Sequence, residues 1–251
     1  MLLQSFFPRM HARSPIKRLM STFLNQNVSQ QQIQQLNDQI PHVNSSDEVI
    51  GPVSKKDSHV RPQGAEGTGL LHRAFSVFLF NSERQLLLQQ RSSSKITFPD
   101  YLTNTCCSHP RFNDDELNEK YNVGIKIAAQ RRLKFELGIT KDQVPLESFT
   151  HLTRIHYSGN SDENWCEHEI DHVLICQKDV HLEPNLDEVQ KCYYVTQDEL
   201  ETLLRTADDA GILLTPWFRY ISNTFLFQWW NNLDDLSSFK DDVIHRAGHQ
   251  P

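Results

Sequence analysis

The feature that most limits the fold of this chain is a helical segment that lies between two groups of β-rich runs. Residues Val123–Leu137 place apolar side chains at helical spacing, and Gly138 follows as a C-terminal cap. Five apolar runs are predicted as strands, two before this helix and three after it: Ala74–Phe80, Gln85–Gln90, Phe149–Tyr157, Ile170–Cys176 and Lys191–Val195.

Two further helices follow the last of these strands. Thr196 is a good N-terminal cap for one of them, and Pro216 suits the first position of the other. The second helix has four aromatic or aliphatic residues on one face: Trp217, Ile221, Phe225 and Trp229. Strands mixed with helices and short loops predict an α/β (α+β) fold, a mixed sheet sandwiched between helices.

Charge and cysteine usage limit the possible functions. Residues 1–37 carry four basic and no acidic residues, so the formal net charge of −7 leaves −11 for the remainder, which argues against a nucleic-acid surface. An anionic small molecule can still bind where positive charge is concentrated.

Five cysteines without regular spacing do not indicate a disulfide framework, so we expect an intracellular protein. No apolar run approaches the ~20 residues of a membrane span.

The N-terminal region differs from the rest in composition. Residues 1–25 lack acids and repeat a basic residue at Arg9, Arg13 and Lys17, which is typical of a mitochondrial transit peptide, although a disordered basic tail has the same composition. The glutamine-rich stretch Gln26–Gln35 is either a flexible linker or a short polar helix. We therefore predict an extension over residues 1–45 and a catalytic domain over residues 46–251.

Two short segments carry reactive side chains. In Thr103–Pro110, adjacent cysteines precede His109, although a Cys-Cys pair is often two small buried residues. Glu167 and Glu169 alternate along an extended segment, so both point to one face and His168 to the other.

The segment Arg131–Ile139 resembles the second half of a Nudix box, which reads Arg-Glu-aliphatic-x-Glu-Glu-x-Gly-aliphatic and whose carboxylates bind Mg²⁺ against a diphosphate. Only Glu136 is present here, because Arg132 and Phe135 occupy the other two carboxylate positions. The resemblance therefore implies a Nudix-like fold without the hydrolase chemistry.

Five motifs in this order resemble type I isopentenyl-diphosphate isomerases of the animal kind. The motifs are Leu71–Ser76, Thr103–Pro110, Arg131–Gly138, Glu167–Glu169 and Thr215–Trp217. The resemblance covers roughly residues 48–240 and implies interconversion of isopentenyl and dimethylallyl diphosphate in isoprenoid biosynthesis. Such a reaction protonates an alkene on one face and removes a proton on the other, in a pocket that excludes water.

The resemblance also implies roles for single residues. Cys107, Glu169 and Tyr157 match catalytic positions, and Trp217 matches an aromatic residue that stabilises the cation. We expect a nearby positive charge to lower the pKa of Cys107 below its free value near 8.5.

The binding residues implied by the resemblance form two sets. The metal set, suited to Mg²⁺, Mn²⁺ or Zn²⁺, is His59, His72, His109, Glu167 and Glu169. The diphosphate set is Lys55, Arg91, Lys95, Ser108 and Arg132, with Glu136 holding a Mg²⁺ that bridges the phosphates. We expect the protein to be a monomer that binds this small-molecule diphosphate.

The sequence departs from the family at two positions near the site. Asp100 and Cys166 each stand where the family has glycine. If the turn at Asp100 needs a positive φ, the substitution could move Cys107.

Two other functions are compatible with parts of the sequence. A Nudix-type diphosphohydrolase is disfavoured by the two missing carboxylates, and a non-catalytic zinc-binding domain rests only on the clustered histidines and the odd cysteine. If the N-terminal segment is not used for targeting, cytosol or peroxisome is expected instead.

We predict that residues 1–25, fused to a fluorescent protein, direct it to mitochondria, because the segment is basic, acid-free and amphipathic. Fluorescence microscopy measures this directly. Diffuse cytosolic fluorescence would contradict the prediction.

Overall fold

The computed structural model describes residues 28–62 and 69–247. The strands in these ranges are β1 Gln39–Val43, β2 Val49–Ser54, β3 His72–Phe80, β4 Leu86–Arg91, β5 Leu102–Thr103, β6 Cys106–Ser108, β7 Phe149–Asn160, β8 Cys166–Gln177, β9 Val189–Val195 and β10 Ile244–Arg246. The helices are α1 Gln30–Gln35, α2 Lys55–His59, α3 Val123–Leu137, α4 Gln197–Thr206, α5 Pro216–Ile221 and α6 Phe227–Asn231.

The strands form one mixed sheet built around β3. Strand β3 pairs in parallel with β8 and antiparallel with β6, while β7 pairs antiparallel with β8. Strand β4 pairs with β3, β5 and β9. Every residue of β3 is buried, as expected for a strand with neighbours on both sides and helices on both faces.

The two faces of the sheet bury separate apolar clusters, because successive side chains of β3 point in opposite directions. Phe75, Val77 and Leu79 pack with residues of α3, such as Leu133. Phe78 and Phe80 pack with α4, α5 and α6. The expected sandwich of a mixed sheet between helices is confirmed.

Helix α3 has the predicted bounds, and Gly138 caps it at a φ of 72°. A side chain there would also collide with the Glu183 backbone, since an added Cβ would lie 2.8 Å from its carbonyl oxygen. Helix α4 begins as predicted, with Thr196 and Glu199 forming a capping box.

The last helical region differs from the predicted regular helix. A π-helical turn at Ser222–Leu226 separates α5 from α6. After this wider turn the buried face includes Leu226 and Trp230, and Phe225 is only half-buried. The other residues of the predicted face, Trp217, Ile221 and Trp229, are buried.

Part of the predicted N-terminal extension lies in the sheet. The glutamine-rich stretch contains α1, and β1 pairs with β2 and, through His42 and His72, with β3. The division at residue 45 stays a prediction. Residues 1–25, the predicted targeting segment, lie outside the described residues. Within the described ranges, none of the helices has the length and apolarity that a membrane crossing requires.

A buried carboxylate holds the β1–β2 turn against three other strands. Asp47 adopts a φ of 67°. Its Oδ1 accepts a hydrogen bond from Arg73 Nε at 2.8 Å, and its Oδ2 lies 2.7 Å from His172 Nε2 and 3.3 Å from Arg154 Nη1. Burial alone would raise the pKa of Asp47, but the hydrogen bond and charge of His172 and the charge of Arg73 outweigh it and lower the pKa to about 2.

We predict that Asp47→Asn lowers the free energy of unfolding at pH 7 by about 2 kcal/mol, because Asn tolerates the positive φ but removes the charge. The Asp47 pKa is depressed in the folded state, so its stabilising effect is present above pH ~4 and is lost as pH falls towards 2. Denaturant unfolding of both proteins across this range measures the effect. The control is Asp208→Asn, which removes an exposed ion pair with Arg219 and should change stability by less than ~1 kcal/mol.

Candidate active site

Strand pairing brings the five predicted metal ligands together. The parallel register of β3 and β8 places His72 opposite Glu169, and Glu167 lies two residues earlier on the same face of β8. Helix α2 ends at His59, and His109 follows β6 directly. All five side chains are buried, and their ligating atoms lie within 4.8 Å of one another.

Hydrogen bonds fix the orientation of these imidazoles. His59 Nδ1 lies 2.7 Å from the Lys55 carbonyl oxygen and His72 Nδ1 lies 2.8 Å from that of Leu70, so each Nδ1–H donates to backbone and each Nε2 keeps its lone pair. His109 Nε2 lies 2.7 Å from Glu169 Oε1. Four atoms of the cluster have no hydrogen-bond partner within the described ranges: His59 Nε2, His72 Nε2, His109 Nδ1 and Glu167 Oε2. Of these, His59 Nε2 and Glu167 Oε2 lie 2.8 Å apart.

The pKa shifts differ among the residues of the cluster. Burial lowers the pKa of His59 and, with the neighbouring imidazoles, lowers that of His109 well below its usual value, whereas the carboxylates of Glu169 and Glu167 outweigh burial and raise the pKa of His72. Burial would raise the pKa of Glu167 and Glu169, but the neighbouring histidines outweigh it and lower both, so both are ionised. Three imidazoles and two carboxylates fit a divalent metal ion, whose binding would displace the proton from His72.

Glu169 also contacts the predicted catalytic tyrosine. Tyr157 lies opposite Glu169 in the β7–β8 pairing, and its hydroxyl donates a hydrogen bond to Glu169 Oε2. Burial, followed by the charge of Glu169, raises the pKa of Tyr157 well above its usual value. The ring centroid of Trp217 lies 5.8 Å from that of Tyr157, and its Nε1 donates to Asn104 Oδ1 at 3.0 Å.

The two adjacent cysteines face different surroundings, as their alternation along β6 requires. Cys107 lines the same cavity as Tyr157, Glu169 and Trp217. Cys106 is fully buried on the α3 side, where its thiol donates to Glu136 Oε2 at 3.5 Å.

The pKa of Cys107 moves in the opposite direction from the one expected. Burial raises it to about 12 and outweighs the nearby charge of Arg91, whose Nη1 lies 4.0 Å from the sulfur. At neutral pH Cys107 is therefore a thiol in this structure, able to donate a proton.

The predicted diphosphate-binding residues line the same cavity: Lys55, Arg91, Lys95, Ser108 and Arg132. Burial, together with the charges of Lys95 and Arg132, lowers the pKa of Lys55 to about 8. Such mutual repulsion of cations is typical of a site that receives an anion.

Glu136 is placed differently from the other predicted ligands. Its Oε1 accepts hydrogen bonds from Arg132 Nε at 3.2 Å and Nη2 at 2.5 Å, and its Oε2 accepts one from Gln89 Nε2 at 3.1 Å. Glu136 is 2% exposed and does not belong to the His/Glu cluster. Both oxygens of Glu136 accept hydrogen bonds here, and its role as a ligand of a Mg²⁺ that bridges the phosphates stays a prediction.

Both departures from the family are accommodated locally. Asp100 has a φ of 67°, so the turn does need a positive φ, and Ser93 Oγ donates to Asp100 Oδ1 at 2.5 Å. Cys107 still lines the cavity. The sulfur of Cys166 accepts a hydrogen bond from Gly69 N at 3.2 Å. An added Cβ at Gly69 would lie 3.1 Å from this sulfur and 2.4 Å from the Ser58 carbonyl oxygen.

Sequence reasoning missed several residues that support the site. Asn104 is buried and donates to the carbonyls of Val77 and Cys106 at 3.1 and 3.0 Å, which holds the cysteine loop on β3. A run of small polar residues before two cysteines could have indicated such an anchor, because buried polar groups need partners. The other missed residues surround the cationic cavity: Gln32, Gln35 and Glu188.

Comparison with known proteins agrees with this geometry. Residues 70–218 match the NUDIX domain family. The chain is 50% identical over 220 residues to isopentenyl-diphosphate Delta-isomerase 1 of Bos taurus, covering 87% of this chain and 96% of that protein. It is 48% identical over 223 residues to the isopentenyl-diphosphate Delta-isomerase of Dictyostelium discoideum (86% and 92%). Isopentenyl-diphosphate Delta-isomerase I of Clarkia breweri is 46% identical over 210 residues (83% and 72%). The chain therefore belongs to the isopentenyl-diphosphate Delta-isomerase family and has a NUDIX domain.

Proposed function

We propose that this chain interconverts isopentenyl and dimethylallyl diphosphate. The observation that supports this proposal best is that one cavity is lined both by the cations and by the acid–base residues. Lys55, Arg91, Lys95 and Arg132 suit the diphosphate end of the substrate, while Cys107, Tyr157, Glu169 and Trp217 suit its alkene end.

The proposed reaction moves two protons and no other atoms. One group donates a proton to the terminal carbon of the alkene, which produces a tertiary cation, and another removes a proton from the neighbouring methylene, which forms the new double bond. Cys107 on β6 and the Tyr157–Glu169 pair on β7 and β8 are the two groups. Because the reaction is reversible, each is the acid in one direction and the base in the other.

Two features of the cavity favour the cationic intermediate. The aromatic face of Trp217 stabilises positive charge, and Arg91 already lies 5.8 Å from its ring centroid. The aromatic rings of Phe98 and Tyr157 contact Trp217 and exclude water, which would otherwise capture the cation.

A divalent metal would be held by the five clustered residues: His59, His72, His109, Glu167 and Glu169. When bound, the ion supplies positive charge that fixes the Glu169 carboxylate and adjusts its basicity. The cations would bind the diphosphate, and Glu136 would hold a Mg²⁺ that accompanies it.

A Nudix-type diphosphohydrolase is the other candidate. It would need several carboxylates to activate a water molecule, but Glu136 is the one box carboxylate present and it is paired with Arg132. Delivery to mitochondria by residues 1–25 and a monomeric state are further proposals.

We predict that purified protein with Mg²⁺ converts isopentenyl diphosphate to dimethylallyl diphosphate, and that Cys107→Ala lowers kcat at least 100-fold whereas Cys106→Ala lowers it less than 10-fold. Cys107 lines the cavity, while Cys106 faces α3. KM should change little in the Cys107 variant, because the diphosphate contacts lie elsewhere.

Product analysis and steady-state kinetics measure both parts. Release of phosphate or pyrophosphate would indicate a hydrolase instead, and equal losses in the two cysteine variants would contradict the assignment of Cys107.

We predict that His109→Ala loses bound metal and activity together while the fold survives, because the four other imidazole or carboxylate ligands cannot fill its position. Elemental analysis of the purified variant measures the metal content, and circular dichroism checks the fold. His181→Ala is the control, since His181 is exposed and outside the cluster. Full metal content in the His109 variant would show that it is not a ligand.

A further inference from the structure

A buried carboxylate with no role in the chemistry above joins two of the cavity cations. Glu188 lies in the segment before β9, and its side chain is 0% exposed. Its Oε2 accepts a hydrogen bond from Lys95 Nζ at 2.5 Å and lies 3.4 Å from Arg132 Nη2. The same residue joins the loop after β4, since Ser92 N donates to its carbonyl oxygen at 3.0 Å.

The other oxygen of Glu188 binds helix α1. Gln32 Nε2 and Gln35 Nε2 donate to Oε1 at 2.8 and 2.7 Å. The side-chain Oε1 of Gln35 accepts a hydrogen bond from Arg132 Nη1 at 2.9 Å. Arg132, Gln35 and Glu188 therefore form a closed ring of hydrogen bonds, to which Lys95 and Gln32 are attached.

Glu188 is the carboxylate that holds Lys95, and it is a second carboxylate partner of Arg132 beside Glu136. Lys95 is 6% exposed and Arg132 is 5% exposed, so loss of Glu188 would leave two buried charges with incomplete pairing. A lysine side chain is also flexible and has many conformations when it is not held. The charges of Lys95 and Arg132 outweigh burial and keep the pKa of Glu188 far below its usual range, so the carboxylate is charged at neutral pH.

We propose that Glu188 is a positioning residue for the diphosphate: it fixes Lys95 and Arg132 against the cavity and connects both to helix α1 through Gln32 and Gln35. The inference rests on the proposed function, because it takes a diphosphate as the anion that these cations bind. Glu188 itself does not line the cavity.

A purely electrostatic role and a positioning role predict opposite results when Glu188 is neutralised. Removing a negative charge beside the cations strengthens the attraction for an anion. If Glu188 acts by positioning, its neutralisation lets the Lys95 and Arg132 side chains leave their binding positions. This effect outweighs the gain in attraction, and the anion binds more weakly. The sign of the change in affinity therefore distinguishes the two.

The test is titration calorimetry of the full chain with inorganic pyrophosphate and Mg²⁺, together with steady-state kinetics on isopentenyl diphosphate. We expect Glu188→Gln to weaken pyrophosphate binding at least 10-fold and to raise KM by a similar factor, with kcat changed less than 3-fold. Glu201→Gln removes an equal charge from an exposed position on α4 and should leave both values unchanged. Unchanged or tighter pyrophosphate binding by Glu188→Gln would overturn the proposal.

A second pair of variants decides the question if Glu188→Gln does not fold. Gln35→Leu breaks the ring but retains the contact between Lys95 and Glu188, and Gln34→Leu alters the exposed neighbour on the same helix. Weaker pyrophosphate binding and a higher KM only in Gln35→Leu support the proposal, and equal values in both variants refute it. A wild-type protein that binds pyrophosphate but does not isomerise the substrate would refute the proposed function alone.

Discussion

The site depends on one strand register, the parallel pairing that places His72 of β3 opposite Glu169 of β8. The antiparallel pairing of β7 with β8 places Tyr157 opposite the same glutamate, and His109 reaches it from the end of β6. Three strands thus converge on a single carboxylate. A slip of one residue would turn Glu169 to the opposite face of the sheet, and both the metal cluster and the tyrosine contact would be lost together.

The diphosphate side of the cavity shows how an acidic protein can hold concentrated positive charge. Arg132 is bound by Glu136 and Glu188, and Lys95 is bound by Glu188, so the buried cations are held by carboxylates behind them while their cavity side remains open. In the Nudix box the position of Glu136 carries a metal-binding carboxylate. Here it binds Arg132, a residue that itself replaces another of the box carboxylates.

The local sequence pattern was sufficient to predict much of the fold. Helix α3 follows apolar periodicity and ends at a recognisable cap, and strands such as β3 and β7 are apolar runs. The family resemblance supplied the residues of the metal cluster, which the fold then brings together. The π-helical turn could not be predicted, since it arises from packing of Leu226 and Trp230 against the sheet. Glu188 and Gln35 were missed because their partners are 56 to 156 residues away in sequence. The pKa of Cys107 depends on burial, which no local pattern reports.

The protonated thiol of Cys107 has a consequence for the chemical durability of the protein. Oxidants and alkylating reagents attack thiolates, and burial raises the pKa of Cys107, so less of it is thiolate than in a free cysteine. A cysteine that opens into a substrate cavity would ordinarily be exposed to peroxide damage. Here the low dielectric surroundings that suit a proton donor also protect the sulfur, because they disfavour its ionised, reactive form.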